Sequence, residues 1–315
     1  MSVFVELDIR AGIEDLWSRT QDPVQHERWD LRFSSIEYAA ASEPDGRQGF
    51  DYETRLGFGL AIRGAGETIA DRDLPDGGRV SSLRFSSGSR WSLIREGRGY
   101  WAYSPTPGGV RFRTVYDYET RWGRIGRWFD RLAFRPLIGW ATAWSFDRLR
   151  LWLERGIDPA VSIRLAAVHS LARSGLAAIF LWHGLVPKLI AFDPTELAIL
   201  TGLGTGPDVA RTALAGMGVA EILFAFALLL TWHRAAFAGL AFLFSITATL
   251  ASVAALPSLV AGAFTPITLN LGLGLLAAID LLTLRDIPSA GRCRRRPPTV
   301  AIASAAAASS DFARP

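Results

Sequence analysis

A long uncharged stretch dominates the second half of the chain. No charged side chain occurs from Ala235 to Ile279, and Pro257 and Pro266 interrupt this stretch. A helix needs roughly 20 apolar residues to cross the hydrocarbon core of a bilayer. The stretch is therefore long enough for two membrane-spanning helices with a turn around the prolines.

Two further apolar segments precede this stretch. Leu165–Pro187 contains Arg173 and two histidines, and Thr212–Thr231 has Glu221 as its one charged residue. Together the segments predict an all-α, four-helix transmembrane domain over residues 164–284.

In the first half of the chain, apolar residues recur at the short intervals of β-strands and amphipathic helices. Apolar and polar residues alternate from Val3 to Ile9, as in a half-buried β-strand. Two short helices are predicted next, the second ending near Trp29, and six strand-like segments follow between residues 33 and 121. From Gly123 to Glu154 the apolar positions recur at helical spacing, which predicts a long amphipathic helix interrupted around Pro136.

The first half has an opening strand and then a set of marked residues: Leu16-Trp17, Asp22-Pro23, Trp29, Phe146-Asp147-Arg148-Leu149 and Leu153-Glu154. With this order of elements, these residues resemble the START-like (SRPBCC, polyketide cyclase/dehydrase-type) superfamily. The resemblance implies an α+β helix-grip domain over residues 1–155, with a curved sheet around the last helix and a pocket between them for a small apolar ligand. A lipid, a quinone or a polyketide-like molecule would suit such a pocket. Residues 156–163 are then a linker.

The second half has a set of polar, glycine and proline residues at the ends and in the interior of its apolar segments: His183-Gly184, Pro187-Lys188, Gly218, Glu221, Pro257, Thr265-Pro266 and Asn270. In these residues it resembles the DoxX-like family of four-helix membrane proteins. Relatives in this family include subunits of thiosulfate:quinone oxidoreductases and partners in bacterial oxidative-stress complexes. The resemblance therefore suggests quinone as a cofactor, and a membrane-protein partner or a homo-oligomer as the assembly.

Seven polar residues of the membrane half are candidate ligand-binding residues: His169, Arg173, His183, Lys188, Glu221, Asn270 and Asp280. Arg173 and Glu221 both fall near the bilayer midplane, where an ionised group needs a partner. We therefore predict an Arg173–Glu221 ion pair, with Asp280 as the competing partner of the arginine. We expect His183, Lys188 and Asn270 nearer the outer face. These groups could hold the bundle together or form a quinone or proton site.

Charge placement predicts the topology. Arginines precede the first span, Arg234 separates the second and third spans, and Arg285 with the cluster at 292–296 follows the fourth. The first residues lack the apolar core of a secretory signal. We therefore expect four spans in a bacterial cytoplasmic membrane, with both termini cytoplasmic.

The basic residues near the end of the chain bear on whether the partner is lipid or nucleic acid. The net charge is +4 and the excess lies in the second half. Beside a membrane segment, such a cluster favours anionic lipid over nucleic acid. Residues 285–315 are predicted to be a tail that is first basic, then rich in Ala, Ser and Pro, and disordered.

Candidate chemistry in the first half is sparse. No nearby acid or nucleophile in the sequence forms a catalytic pair with His26. We therefore expect a solvent-facing or capping histidine rather than a general base. The single cysteine, Cys293, excludes an intramolecular disulfide, and no metal-ligand spacing is found. Most of the 11 tryptophans lie before residue 153, where cavity walls, core packing and anchoring at the bilayer explain them equally. The sequence favours binding over catalysis.

Overall fold

The computed structural model describes residues 2–39, 47–57 and 59–298. The chain divides into two compact units. The front domain comprises the described residues up to 162 together with residues 288–298, and the membrane domain is residues 163–287. The predicted linker at 156–163 is shorter than expected, because a helix already begins at Pro159.

A seven-stranded antiparallel sheet forms the front domain. The strands are β1 Val3–Ile9, β2 Ser35–Tyr38, β3 Gln48–Gly57, β4 Leu60–Asp73, β5 Arg79–Ser86, β6 Ile94–Thr106 and β7 Gly109–Thr120, in the order β1-β7-β6-β5-β4-β3-β2. In β7, Phe112, Thr114 and Tyr116 are buried on one face, as the alternation in the sequence predicts.

The helices of the front domain complete a helix-grip fold. They are α1 Ile13–Gln21, α2 Pro23–Trp29, α3 Gly123–Phe129 and α4 Arg135–Arg155, with a π-helical turn at Asp130–Phe134 between the last two. The second half of α4 packs Phe146 and Leu149 into the core formed with β1 and β7. The predicted α+β helix-grip architecture is therefore confirmed, and the predicted interruption falls just before Pro136.

The chain after the last membrane helix returns to the front domain. The backbone groups of Glu6 and Arg294 exchange two hydrogen bonds of 2.9 Å at the outer edge of β1. The buried thiol of Cys293 lies 3.2 Å from the Ala143 carbonyl oxygen. The prediction of a disordered tail is wrong for residues 288–298, and residues 299–315 lie outside the described residues.

The arginines of this returning segment bind acids of the front domain. Arg292 lies 3.6 Å from Asp147 and Arg294 lies 3.4 Å from Glu6. The expectation that the basic cluster meets anionic lipid stays a prediction, and ion pairs within the front domain engage two of its arginines.

Four helices of the membrane domain are long and apolar enough to cross a bilayer. Its helices are α5 Pro159–Leu185, α6 Pro194–Gly202, α7 Pro207–Leu230, α8 Ala235–Ala255 and α9 Pro266–Thr283. A π-helical turn at Val186–Ile190 extends α5. The four predicted spans correspond to α5, α7, α8 and α9, whereas the sequence pattern does not predict the short α6 between the first two spans.

Candidate functional sites

A cavity of about 290 Å³ lies in the front domain. The sheet forms one wall, and the π-helical turn with the first half of α4 forms the opposite wall through Phe134, Leu137, Ile138 and Ala141. Aromatic side chains supply much of the remaining lining: Phe33, Phe50, Tyr52, Phe85, Trp101 and Tyr116. The cavity therefore lies where the helix-grip resemblance implies a pocket.

Glycines on neighbouring strands position two of these aromatic rings. A Cβ at Gly66 would lie 2.3 Å from the ring of Phe50, and a Cβ at Gly97 would lie 2.5 Å from the ring of Phe85. Both rings thus lie directly against glycine backbone, which no other residue permits at that distance. This arrangement leaves space above the sheet for a bound molecule.

A buried ion pair lies at the edge of the cavity. Arg32 donates through Nε at 2.9 Å and through Nη2 at 2.6 Å to the two carboxylate oxygens of Asp30. Burial opposes ionisation of Asp30, but Arg32 and a hydrogen bond with His26 outweigh it and hold the pKa of this carboxyl far below its usual range. Asp30 is therefore an anion, and the third guanidinium nitrogen of Arg32 is not used by it.

His26 occupies a different position from the one that the sequence predicts. It is buried, lines the cavity, and places Nε2 3.1 Å from Asp30 Oδ2. The expectation of a solvent-facing or capping histidine without an acid partner is wrong. Because the ionised Asp30 carboxylate can only accept a hydrogen bond, the Nε2 atom of His26 carries the proton and donates it. Nδ1 has no hydrogen-bond partner among the described residues, so it can accept a hydrogen bond from a molecule in the cavity.

Tyr116 adds a hydroxyl to the same cavity. Thr142 donates its proton to the Ile138 carbonyl at 2.8 Å, so it accepts one from Tyr116 at 2.9 Å. Burial raises the pKa of Tyr116, and the nearby Arg32 guanidinium partly offsets this. The phenol is therefore neutral at physiological pH, with a lone pair still able to accept a hydrogen bond.

The first polar cluster of the membrane domain, which we call the arginine cluster, consists of His169, Arg173 and Asp280. Arg173 Nη1 lies 2.7 Å from Asp280 Oδ2, and His169 Nδ1 lies 2.6 Å from Asp280 Oδ1. The predicted Arg173–Glu221 pair is wrong, and the competing partner Asp280 takes the arginine. All three side chains are fully buried.

Backbone carbonyls complete the coordination of Arg173. Its Nε donates to the Leu228 carbonyl at 2.9 Å and its Nη2 donates to the Thr231 carbonyl at 2.8 Å. These carbonyls belong to the last turn of α7, whose acceptors lack partners within the helix. The arginine therefore caps α7 and joins it to α9, which is a structural role.

His169 lies between two groups that accept hydrogen bonds. Its Nε2 lies 3.1 Å from the Trp232 carbonyl oxygen, and its Nδ1 lies 2.6 Å from Asp280 Oδ1. The second contact is close but poorly aligned, because neither Nδ1 nor Asp280 Oδ1 has a hydrogen-bond partner among the described residues. His169 therefore adds a second contact between α5 and the carboxylate of α9.

The second cluster, which we call the lysine cluster, consists of Lys188, Glu196 and Glu221. Lys188 Nζ lies 2.9 Å from Glu196 Oε1 and 3.2 Å from Glu221 Oε1. Glu221 is buried, and its second oxygen, Oε2, has no partner among the described residues. Two carboxylates thus share one ammonium group, and one buried acceptor is unsatisfied.

Close packing of two helices brings the lysine cluster together. A Cβ at Gly184 would lie 2.5 Å from the Gly218 carbonyl oxygen, and a Cβ at Gly218 would lie 2.7 Å from the Gly184 carbonyl oxygen. Small residues permit this approach of α5 to α7. The π-helical turn after α5 then carries Lys188 towards Glu221. The glycines of the family motif therefore have a direct structural purpose.

The remaining two candidates, His183 and Asn270, take part in neither of these groups of ion pairs. His183 is half-buried and lies near enough to Lys188 and Glu196 to interact with their charges. Asn270 is buried on α9, beside Ser245 and Gly274, in a groove between α8 and α9. Among the described residues no group of three or more His, Cys, Asp or Glu could hold a metal ion.

Comparisons with known sequences support the two-part organisation. Residues 177–278 match the DoxX-like family. The chain is 44% identical over 201 residues to the uncharacterized membrane protein YndG of Bacillus subtilis (strain 168), and the match covers 64% of this chain and 72% of YndG. A match of that length exceeds either unit, so it includes parts of both.

Solved structures resemble the front domain. TTHA0849 from Thermus thermophilus is 17% identical, with a TM-score of 0.36, and the match covers 48% of this chain and 97% of that one. A STAR-related lipid transfer protein from Xanthomonas axonopodis is 14% identical, with a TM-score of 0.37, over 49% of this chain and 86% of that one. The fold assignment rests on the sheet order and helix packing above, and these matches add no argument to it.

Proposed function

This chain belongs to the family of the Bacillus subtilis membrane protein YndG and carries a DoxX-like membrane domain, and from that premise we propose that its front domain binds a small apolar molecule. The observation that carries the proposal is the cavity of about 290 Å³, which has aromatic walls and a few converging polar groups. Ligand sites commonly have this combination of apolar walls and a few polar groups.

The size of the cavity limits the ligand. A cavity of about 150 Å³ takes up benzene, so a cavity of about 290 Å³ suits a group of roughly two fused rings. A naphthoquinone headgroup or a small polyketide-like aromatic has this size. The ligand need not enter completely, so a longer apolar tail could extend outwards.

The polar groups define what the ligand carries. Arg32 has one guanidinium nitrogen that Asp30 does not engage, beside the Tyr116 hydroxyl, so it can donate to a carbonyl or phenolate oxygen of a ligand. His26 Nδ1 can accept a hydrogen bond from a hydroxyl group. A molecule with a carbonyl on one side and a hydroxyl on the other satisfies both residues.

Mass spectrometry of small molecules extracted from the detergent-purified full chain tests this function. In Ala141→Phe a ring projects into the cavity from α4, whereas in Ala65→Phe the same ring is added at an exposed position of β4 outside the cavity lining. A small apolar compound should copurify with the wild type and with A65F but not with A141F. Identical extracts from all three proteins would overturn the proposal.

We also propose that the front domain is cytoplasmic. Support comes from the even number of candidate spans and from residues 288–298 after the fourth span, which pack on the front domain that precedes the first. Arginine placement favours the cytoplasmic side. A fluorescent reporter that folds only in the cytoplasm, fused to the C-terminus, should be bright. An alkaline phosphatase fusion there, active only outside, should be inactive.

A second candidate function is a quinone-linked oxidoreductase subunit, and Glu221 Oε2 is the observation that favours it. Lys188 can donate to a quinone carbonyl, and the unsatisfied Glu221 oxygen can accept a proton from a quinol hydroxyl. A photoactivatable quinone analogue should label α7 near Gly218, and excess ordinary quinone should suppress this. Labelling spread evenly over the spanning helices would contradict the assignment.

A further inference from the structure

Apolar side chains of residues 122–140 point away from the front domain. Ile125 is 76% exposed, Trp128 is 65% exposed and Leu132 is 67% exposed. Trp122, Phe129, Leu137 and Trp140 are also exposed. Soluble amphipathic helices bury such a face, so this segment is inverted. We call it the 122–140 surface.

The inward side of this segment explains the inversion. Gly126 and Asp130, four residues apart, are buried, and a Cβ at Gly126 would lie only 1.8 Å from the Arg121 carbonyl oxygen. Asp130 accepts hydrogen bonds from Tyr118 at 2.6 Å and from Arg135 at 2.8 Å. Gly126 and the hydrogen-bonded Asp130 therefore occupy the side of the segment that packs on the front domain. The bulky residues between them consequently point outwards.

The backbone before the segment supports the same orientation. Trp122 adopts φ 62° and ψ 28°, in the left-handed region that bulky residues rarely enter. Its indole is more than half exposed. Strain of this kind persists where the surrounding structure imposes it and often accompanies function.

Basic residues interleave with the apolar ones. Arg124, Arg127 and Arg131 are exposed. None of the three takes part in an ion pair among the described residues, whereas Arg135 on the same segment binds Asp130 and Asp117. The one acid of the segment, Asp130, is buried, so the surface carries uncompensated positive charge.

This surface also forms a wall of the cavity. Leu137 is 61% exposed and lines the cavity at the same time. Phe134 and Ile138, its neighbours, line the cavity from half-buried positions. One layer of side chains therefore separates the cavity from whatever covers the 122–140 surface.

We propose that the 122–140 surface inserts into the interface of an anionic lipid bilayer and that the ligand reaches the cavity from the lipid through it. Exposed Trp, Ile and Leu among unpaired arginines are typical of segments that lie in the membrane interface, and the arginines complement anionic headgroups. The ligand is then a membrane-dissolved molecule. This inference rests on the proposed ligand-binding function for its second part only.

Lipid quenching of a fluorophore tests the inference on the full chain in vesicles. Leu132→Cys carries an environment-sensitive label, and Val24→Cys on α2, 65% exposed, is the matched control. The native Cys293 does not compete for the label, because burial raises the pKa of its thiol to about 12. Nitroxide lipids labelled near the headgroup, in phosphatidylcholine vesicles with phosphatidylglycerol, are the quenchers.

The expected result is strong quenching at position 132 and little at position 24. Quenching at 132 should weaken in pure phosphatidylcholine and in an Arg124→Gln, Arg127→Gln, Arg131→Gln variant. Equal quenching at both positions would overturn the inference, and so would self-quenching of label 132 between copies without lipid quenching, which would indicate a protein partner. Lipid quenching at position 132 without any copurifying ligand would contradict the ligand-binding proposal and leave the membrane insertion of the surface supported.

Discussion

The arginine cluster and the lysine cluster are both buried in the membrane domain, but their unsatisfied atoms are placed differently. In the first, Arg173 donates to Asp280 and to carbonyls at the end of α7, and the two atoms without a hydrogen bond, His169 Nδ1 and Asp280 Oδ1, lie 2.6 Å from each other. In the second, Glu221 keeps an oxygen without a partner among the described residues. Groups that already face one another hold helices together, whereas an oxygen that faces no partner can still bind a proton or a ligand. Burial of charge alone therefore does not identify a functional site.

The front domain repeats this contrast on a smaller scale. Asp30 is saturated by Arg32 and His26, while His26 Nδ1 beside it has no partner among the described residues. In both domains an ion pair thus lies next to a group that can still form a hydrogen bond with a ligand. We expect substitutions of the paired groups to affect stability and substitutions of their neighbours to affect binding.

Asp280→Asn should have the largest effect. It removes the carboxylate that faces both Arg173 and His169, and breaking a buried ion pair typically costs about 3–5 kcal/mol. Because both Arg173 and His169 lose the carboxylate that they face, we expect about 5 kcal/mol. Size-exclusion chromatography after heating in detergent measures the loss. A variant as heat-resistant as the wild type would show that the cluster is not structural.

Asp30→Asn should destabilise the front domain by about 3 kcal/mol, less than the previous change because water reaches part of Arg32. The pKa of Asp30 is lower in the folded state than in the unfolded state, so the stabilisation is present above the unfolded value and is lost only as the pH falls through the folded value. The loss should therefore be equal at neutral and mildly acidic pH. Thermal unfolding followed by circular dichroism measures it.

A matched control separates this effect from the general loss of a surface charge. Glu119 pairs with Arg95, and both side chains are more than half exposed. Glu119→Gln should change stability by less than about 1 kcal/mol. If the two variants lose equal stability, the Asp30 ion pair has no special role.

Gly218→Ala should cost about 2 kcal/mol, because the new methyl group would lie 2.7 Å from the Gly184 carbonyl oxygen and push α5 from α7. Gly216→Ala, two residues earlier on the same helix, is the control, since no atom lies within 4 Å of its Cβ position. Heat resistance in detergent should fall for G218A only. Equal behaviour of the two variants would contradict the close helix crossing.

Glu221→Gln should have the smallest effect on stability, within about 1 kcal/mol, because Lys188 keeps Glu196 and the altered oxygen has no partner among the described residues. Any proton-linked activity should nevertheless be lost, because the amide does not take up a proton at physiological pH. A large loss of stability, or proton-linked turnover that survives the change, would remove Glu221 from the second candidate function.

Much of the fold could be predicted from the sequence, because periodicity is a local property. The strand Val3–Ile9 and the four spans follow from alternation and from uncharged length. Direction is harder to predict: the apolar stripe of Ile125, Trp128 and Leu132 has helical spacing but faces outwards. The spacing shows that the helical segment has an apolar face. Only the burial of Gly126 and Asp130 in the structure shows that the opposite face packs on the domain.

The partners in the polar sites could be predicted only in part. Depth in the membrane suggests Glu221 for Arg173, but the arginine instead binds Asp280 and helix-end carbonyls, which leave no mark in a side-chain pattern. The spacing of His26 and Asp30, four residues apart, is visible in the sequence, yet the predicted helix ends before the acid. Sequence reasoning missed Glu196 as a site residue because it lies on the unexpected helix α6.

The most direct test of the central claim is the electron density inside the front-domain cavity of the full chain crystallised from lipid. We expect continuous non-protein density of roughly two fused rings, with one polar atom within hydrogen-bonding distance of Arg32 and another facing His26 Nδ1. A cavity that holds only water, or side chains collapsed into its volume, would contradict the claim that this domain binds an apolar ligand.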